Sequence, residues 1–494
     1  MAYTKRIIQG AGFILVSTYL GAIFGYFLRL VLTRSLSVEE YGLTYSVISL
    51  FGLFSIFVDL GIGRALAKFI PEFLVTNNSK KIKDYFLSFL IVKLSVAISI
   101  GLLFILFSNF IAANVIDESG AGSLIVLYAI FFMLKPVITL IWDAFRGFHR
   151  MGYYAIADLS LSFLLFVFSL IFIYFGHGIF SLFYAYISYG VLAVIILLIV
   201  FTKVVFPEFN KYKFQFTITK KAIKFSLSLT VAGVFGTLFG NIDTIILTKF
   251  TTLTQVAYFQ AVYPLIKAFW GFGGIFTLAL MPIVSEMWAK KHFQKFNKEI
   301  NRLYTYVLVL SFPLVITLFV FARQILVVLY TEEYVLATVS LQILCLTIVI
   351  KIITKLNSSI LAGIGKPEEM IKFIVGGSVI NVIMNLWLVP KMGSKGAAIS
   401  MLVSFFLIFV FSIYTLKKYL KINLKNSNYL KIAFSSLIYL GLAIVISNFY
   451  SQNLLIFSVL VGLSLIIYVL LLFVTKTIKI KEIKDLIGVL RKQK

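Results

Sequence analysis

Apolar residues in this chain fall in runs of about 18 to 28, divided by short polar segments. A hydrocarbon layer about 30 Å thick is crossed by about 20 helical residues, and a helix satisfies its own backbone there. The runs predict fourteen spans: 11–32, 43–66, 86–107, 122–145, 153–175, 179–201, 222–247, 257–284, 303–321, 335–361, 370–389, 396–416, 429–446 and 454–473. The expected fold is an all-α integral membrane protein of about fourteen transmembrane helices. Segment 1–206 would form one six-helix lobe and 207–420 a linker with a second. Segment 421–494 would add two C-terminal helices and a basic tail.

Charge gives these spans a direction. The odd-numbered loops hold only Arg34, Lys249, Arg323, Lys391 and Lys395, and seven further cations lie inside spans. The remaining 33 of the 45 Lys and Arg sit at the termini and in or beside the even-numbered loops. Basic loops stay on the cytoplasmic side, so both termini are expected to be cytoplasmic in a multi-pass protein of the cytoplasmic membrane. The first run follows Lys5 and Arg6, is about 22 residues long and carries no small-residue cleavage site, which reads as a retained anchor span.

Two six-span blocks show internal likeness. LTRSLSVEEYG from Leu32 pairs with LTKFTTLTQVA from Leu247, FIPEF ending at Phe73 with IVSEM ending at Met287, and RGF at Arg146 with AGI at Ala362. All three pairings imply an offset of 214 to 216 residues. An even number of spans per block gives the copies the same orientation, about an axis along the membrane normal. The expected shape is two lobes facing each other across a central cavity, joined by the basic linker 207–221.

Composition narrows the function. With 61% hydrophobic and 13% charged residues and a mean hydropathy of +1.02, the chain is far more apolar than a soluble domain. The net charge of +26 sits mainly in short loops, where anionic lipid headgroups are the expected partner and nucleic acid is not. The single cysteine, Cys345, excludes an intramolecular disulfide, and the three histidines are far apart in sequence. No HExxH, GxSxG, Walker A or CxxC pattern is present, and no cofactor or metal is expected. Loops of about 20 residues or fewer leave no room for a separate catalytic domain.

Ionisable residues inside the spans carry the chemistry. A charge at a helix centre in hydrocarbon costs about 2.5 to 3.5 kcal/mol on insertion scales. Arg64, Lys93 and Lys355 lie within about two turns of a predicted cytoplasmic end, where lifting the charged head to the interface accounts for them. Lys135, Lys267 and Lys351 lie about 10 to 16 residues from the outer end of their spans and should face a wet cavity. Arg29, in the outer half of span one, fits either description. Asp59 and Asp243 are candidates to couple Na+ or H+, or to pair with a neighbouring cation. Asp143 and Arg146, at i and i+3, read as a structural pair at the cytoplasmic mouth, and Asp158 begins span five. Asn381 and Asn385, one turn apart, suit interhelical hydrogen bonding, with glycan contact as the alternative.

Cations around a membrane cavity, without a catalytic constellation, suit holding and moving an anion such as phosphate or pyrophosphate. The stretch TRSLSVEEYGLTYSVISLFGLFSIFVDLGIGRALAKFIPE from Thr33 resembles the signature of polysaccharide-biosynthesis flippases, the Wzx-like branch of the multidrug/oligosaccharidyl-lipid/polysaccharide exporter superfamily. NIDTIILTKF at Asn241 and LAGIGKPEEM through VPKMGSKGAAIS, from Leu361 to Ser400, are similar to that family's second-lobe landmarks. The resemblance covers essentially the whole chain. It implies translocation of a polyprenyl-(pyro)phosphate-linked oligosaccharide from the cytoplasmic to the outer leaflet by alternating access, without covalent chemistry. Related lipid II flippases carry basic cavity residues on spans one, two and eight, which Arg29, Arg64 and Lys267 match by span.

Three other readings stay open at this point. A lipid II-type flippase differs only in glycan. A drug or organic-cation antiporter of the superfamily should favour acidic cavity residues and twelve spans. A membrane glycan polymerase or ligase needs a sizeable external loop.

Overall fold

The computed structural model describes residues 2–290, 293–420, 427–448 and 454–477. His292 and the basic tail beyond Thr477 lie outside the described residues. The described chain is helical: α1 (Ala2–Ser35), α2 (Val38–Asp59), α3 (Ile62–Val75), α4 (Ser79–Leu106), α5 (Ala121–Gly147), α6 (Met151–Tyr174), α7 (Phe180–Val200), α8 (Lys220–Phe250), α9 (Leu253–Trp270), α10 (Phe272–Ala289), α11 (Phe293–Val320), α12 (Thr338–Gly363), α13 (Pro367–Met392), α14 (Ser394–Tyr419), α15 (Ser427–Asn448) and α16 (Leu454–Val474), with shorter helical turns between. Each of the fourteen predicted runs falls on one of these helices or on a broken pair. Among the described residues, eleven segments are long and apolar enough to cross a membrane. Large apolar side chains such as Leu103, Leu106 and Ile195 stand exposed on them, a surface that only hydrocarbon covers without penalty.

Two spans expected to be continuous are broken. The second runs from Val38 to Val75 as α2 and α3, because Leu60 and Gly61 both take the left-handed conformation, at φ 42° and 64°. Gly61 adopts that conformation freely, whereas Leu60 is held there by the surrounding packing. The eighth is interrupted at Gly271, between α9 and α10. The sequence Ser37-Val-Glu-Glu40 starts α2 with a reciprocal cap: the Glu40 amide donates to the Ser37 hydroxyl at 3.2 Å, and the Ser37 amide donates to the Glu40 carboxylate at 2.9 Å. Such caps are worth about 1 kcal/mol.

The chain divides into two compact units, one of 1–261 with Asn385–Ser394 and the other of Val262–Met384 with Lys395–Lys494. In the first, Phe51 of α2 packs its ring against Phe104, Tyr128 and Phe132 of α4 and α5, while Phe24 of α1 meets Phe163 of α6. Small residues bring α2 close to α8 and to the start of α9. Ser46 and Thr248 share a hydrogen bond of 2.7 Å, and a Cβ on Gly42 would collide with the Leu253 carbonyl. The linker between the predicted lobes lies as a strap on the start of α4. Lys83 donates to the Tyr212 carbonyl at 2.7 Å, Asp84 accepts the Gln215 amide at 2.9 Å, and Ser88 accepts the Thr217 amide at 2.8 Å.

The second unit is pinned by buried polar contacts. Tyr304 of α11 donates to Asn357 of α12 at 2.5 Å, and Asn357 donates to Ser412 of α14 at 2.7 Å. The C-terminal pair joins α11 through Tyr439, which shares a 2.7 Å hydrogen bond with Thr317, and Tyr468, which donates to the Val309 carbonyl at 3.1 Å.

Candidate functional site

The break in the second span opens a cavity of about 250 Å³ inside the first unit. Asp59 reaches it from the last residue of α2, Arg64 from the first turn of α3, Lys93 from α4 and Lys135 from α5, with Thr230 and Thr237 of α8 completing the wall. Lys135 precedes Pro136, whose ring removes one backbone donor from the helix interior beside the cavity. The cavity wall thus carries three cations and one carboxylate.

Lys93 is the most enclosed of these groups, at 2% side-chain exposure, whereas Asp59 is 55% exposed. Their charged atoms lie 3.5 Å apart, and Lys93 also donates to the Thr139 hydroxyl at 3.4 Å. Arg64 and Lys135 have no ion-pair or hydrogen-bond partner among the described residues. Their charges are therefore available to a bound anion.

Lys93 was expected to lift its charge to the interface and lines the cavity instead, and Arg64, open to either an interfacial or a cavity role, also lines it. The helix break carries Arg64 inward, and Asp59 draws Lys93 down. An in-span Asp and an in-span Lys of opposite sign on neighbouring spans were the sequence signal for that pair. The expected Asp143–Arg146 pair is present, with the guanidinium also 5.0 Å from the Tyr154 ring. The Asp143 carboxylate lies against Gly63, where any Cβ would collide with it.

The other candidates are not among the residues lining this cavity. Arg29 donates to the Tyr41 hydroxyl at 3.2 Å and the Gln260 carbonyl at 3.1 Å, and lies 4.1 Å from the Tyr45 ring centre. Asn385 donates to Asp243 at 2.6 Å, with both side chains buried. In the second unit Asn381 is fully buried, and Lys267 is exposed with its ammonium 5.8 Å from the Tyr263 ring. Lys351 lies 3.6 Å from the Phe405 ring centre and 5.2 Å from that of Trp270, whose indole donates to Thr347 at 3.1 Å. Lys355, one turn on, brings its ammonium against Gly274, beside the break at Gly271.

Many apolar spans and a cavity lined by Arg64, Lys93 and Lys135 are the features to set against known membrane proteins. The family model for polysaccharide biosynthesis proteins matches residues 7–288, and the MatE model matches 228–387. An uncharacterised membrane protein of Methanocaldococcus jannaschii is 26% identical over 99% of each chain. The probable low-salt glycan biosynthesis flippase Agl15 of Haloferax volcanii is 21% identical over 86% of this chain and 88% of its own. Among solved structures, the lipid II flippase MurJ in an inward closed conformation matches with a TM-score of 0.74 at 14% identity, over 93% of this chain and 97% of its own. An inward-facing multidrug resistance MATE family transporter matches with a TM-score of 0.67 at 16% identity, over 80% and 94%. These structural likenesses establish the fold. The chain belongs to the polysaccharide biosynthesis protein family, within the flippase and exporter superfamily its sequence resembles, and is a membrane transporter rather than an enzyme.

Proposed function

We propose that this protein moves a polyprenyl-(pyro)phosphate-linked oligosaccharide from the cytoplasmic to the outer leaflet of the cytoplasmic membrane, by alternating access. The observation that carries this reading is the excess of cations in the cavity of the first unit, where Arg64 and Lys135 have no hydrogen-bond or ion-pair partner among the described residues. Phosphate oxygens are the natural partners of such groups, since charge-assisted hydrogen bonds are about twice as strong as neutral ones. A cavity of about 250 Å³ holds a headgroup rather than a glycan, so the sugar and the lipid tail stay outside it.

Arg29, Lys267 and Lys351 are further basic contacts on this reading. Neither Arg29 nor Lys351 lines this cavity, and each is less available to an anion than Arg64 and Lys135, because Tyr41 and the Gln260 carbonyl engage one and aromatic rings the other. Asp59 and Asp243 are already engaged by Lys93 and Asn385, so a coupling Na+ or H+ would have to compete with those partners. The basic even-numbered loops support cytoplasmic termini and contact with anionic lipids. A drug-antiport reading fits less well, because an organic cation would meet a cavity of like charge.

Proteoliposomes containing the full chain and a fluorescent polyprenyl-pyrophosphate oligosaccharide test the proposal. Protein-dependent exchange of label between leaflets is expected. Absence of exchange, together with export of cationic dyes, would replace this reading with drug transport.

A further inference from the structure

We propose that Asp59 is a built-in competitor for the substrate's phosphate: it holds Lys93 while the cavity is empty, and an arriving phosphate group takes Lys93 from it. This rests on the reading that the cavity of the first unit binds the phosphate.

The geometry has three parts. First, Lys93 is enclosed and needs an anion, and Asp59 supplies it from 3.5 Å, well beyond the roughly 2.7 to 2.9 Å of a tight charge-assisted contact. The pair is close enough to hold the ammonium in place and open enough to exchange.

Second, the position of Asp59 serves Lys93 rather than its own helix. Asp59 is the last residue of α2, where the helix dipole disfavours a carboxylate. Two left-handed residues follow it, so its backbone leads directly into a break. More than half of its side-chain surface is open, whereas Lys93 is enclosed. The carboxylate is therefore the partner that can turn away, and the ammonium the one that stays.

Third, the charge count sets which anion wins. With Asp59 in place, Lys93 is neutralised and the cavity presents Arg64 and Lys135. A pyrophosphate bridge between lipid and sugar, which carries two negative charges, engages those two cations and then outbids a single carboxylate for Lys93. A monoanion such as the carboxylate of an acidic sugar offers nothing beyond what Asp59 already supplies. Asp59 thereby selects for multiply charged phosphate, and returns to Lys93 as the headgroup leaves.

The test uses full-length protein in detergent, with inorganic pyrophosphate and acetate as probes and binding read by calorimetry. Asp59→Asn should tighten pyrophosphate about tenfold and let acetate bind measurably, within the usual range of coupling between two ligands. Lys93→Gln should weaken pyrophosphate. The double variant should match Lys93→Gln alone, because the competitor has nothing left to compete for. A purely structural ion pair predicts unchanged or weaker binding in Asp59→Asn, and a general field effect predicts that the gain persists in the double variant. Either result overturns the proposal. Should Asp59→Asn not fold, Asp59→Glu keeps the charge with longer reach and should weaken pyrophosphate several-fold, with unchanged affinity overturning it. If wild-type protein gives no heat with pyrophosphate, or binds it no more tightly than Arg64→Gln with Lys135→Gln does, the phosphate-site reading fails before the competitor is in question.

Discussion

Lys135 and Lys351 are 216 residues apart, the same offset that separates Arg146 from Ala362, so they hold matching positions in the two repeats. The match extends to their neighbours. Asp143 of α5 lies against Gly63 of α3, and Ser359 of α12 donates to the Thr277 carbonyl of α10 at 3.3 Å, again at offsets of 216 and 214. Each lysine sits in its unit on a helix that packs beside a broken span. Their surroundings nonetheless differ. Lys135 shares a cavity with Arg64, Lys93 and Asp59, while Lys351 is held over Phe405 and Trp270. A cation over a ring face gains about 0.5 to 2 kcal/mol and needs no anion. The lysine of the first unit thus stays available to ligand, and that of the second is largely satisfied by rings.

The strongest test of that contrast replaces charge at each site. Arg64→Gln with Lys135→Gln should lower oligosaccharide flipping by about 100-fold or more, as expected from losing two charged hydrogen bonds worth about 1.5 to 3 kcal/mol each. Lys351→Gln should lower it no more than about threefold, given its ring contacts. Equal losses in the leaflet-exchange assay would mean that the units act alike.

A smaller effect is expected from the helix contacts. Gly63→Ala forces a methyl group into the Asp143 carboxylate, and overpacking of this kind costs about 1 to 3 kcal/mol. In the second unit the matching contact uses a backbone carbonyl, so Thr277→Val should shift stability by less than about 1 kcal/mol. Thermal unfolding in detergent separates the two, and similar shifts would remove the distinction.

The smallest effect belongs to the strap, which has no part in either lysine site. The Ser79 and Tyr212 hydroxyls, with Lys211 nearby, hold the Glu208 carboxyl below the usual carboxylate range. Its contribution is therefore present above the ordinary carboxylate pKa and is lost as pH falls through the lower folded value. Amide protection across 207–219, corrected for the intrinsic pH dependence of exchange, should fall on acidification in the wild type and change less in Glu208→Gln. Identical profiles would show that Glu208 does not hold the strap.

Much of the fold could be read directly because hydrocarbon imposes so few options. A run of about 20 apolar residues must be a helix, and the one-sided loop charge predicts its direction. The helix breaks were harder to see, since Leu60 and Gly61 lie within an apolar run and only packing reveals their left-handed backbone. The cavity was half legible. Lys135 stood out by depth alone, but Lys93 looked like an interfacial lysine, because distance from a span end does not reveal a carboxylate on the neighbouring helix. Nor do spacing rules show that Lys351 lies among rings contributed by α9 and α14.

By itself the sequence determined the membrane, the helices and the basic character of the chain, all of which follow from local hydropathy, charge and periodicity. Tertiary structure decided which charges share a cavity and which are already satisfied. Those outcomes depend on contacts between residues such as Asp59 and Lys93, far apart along the chain and brought together by a break in one helix.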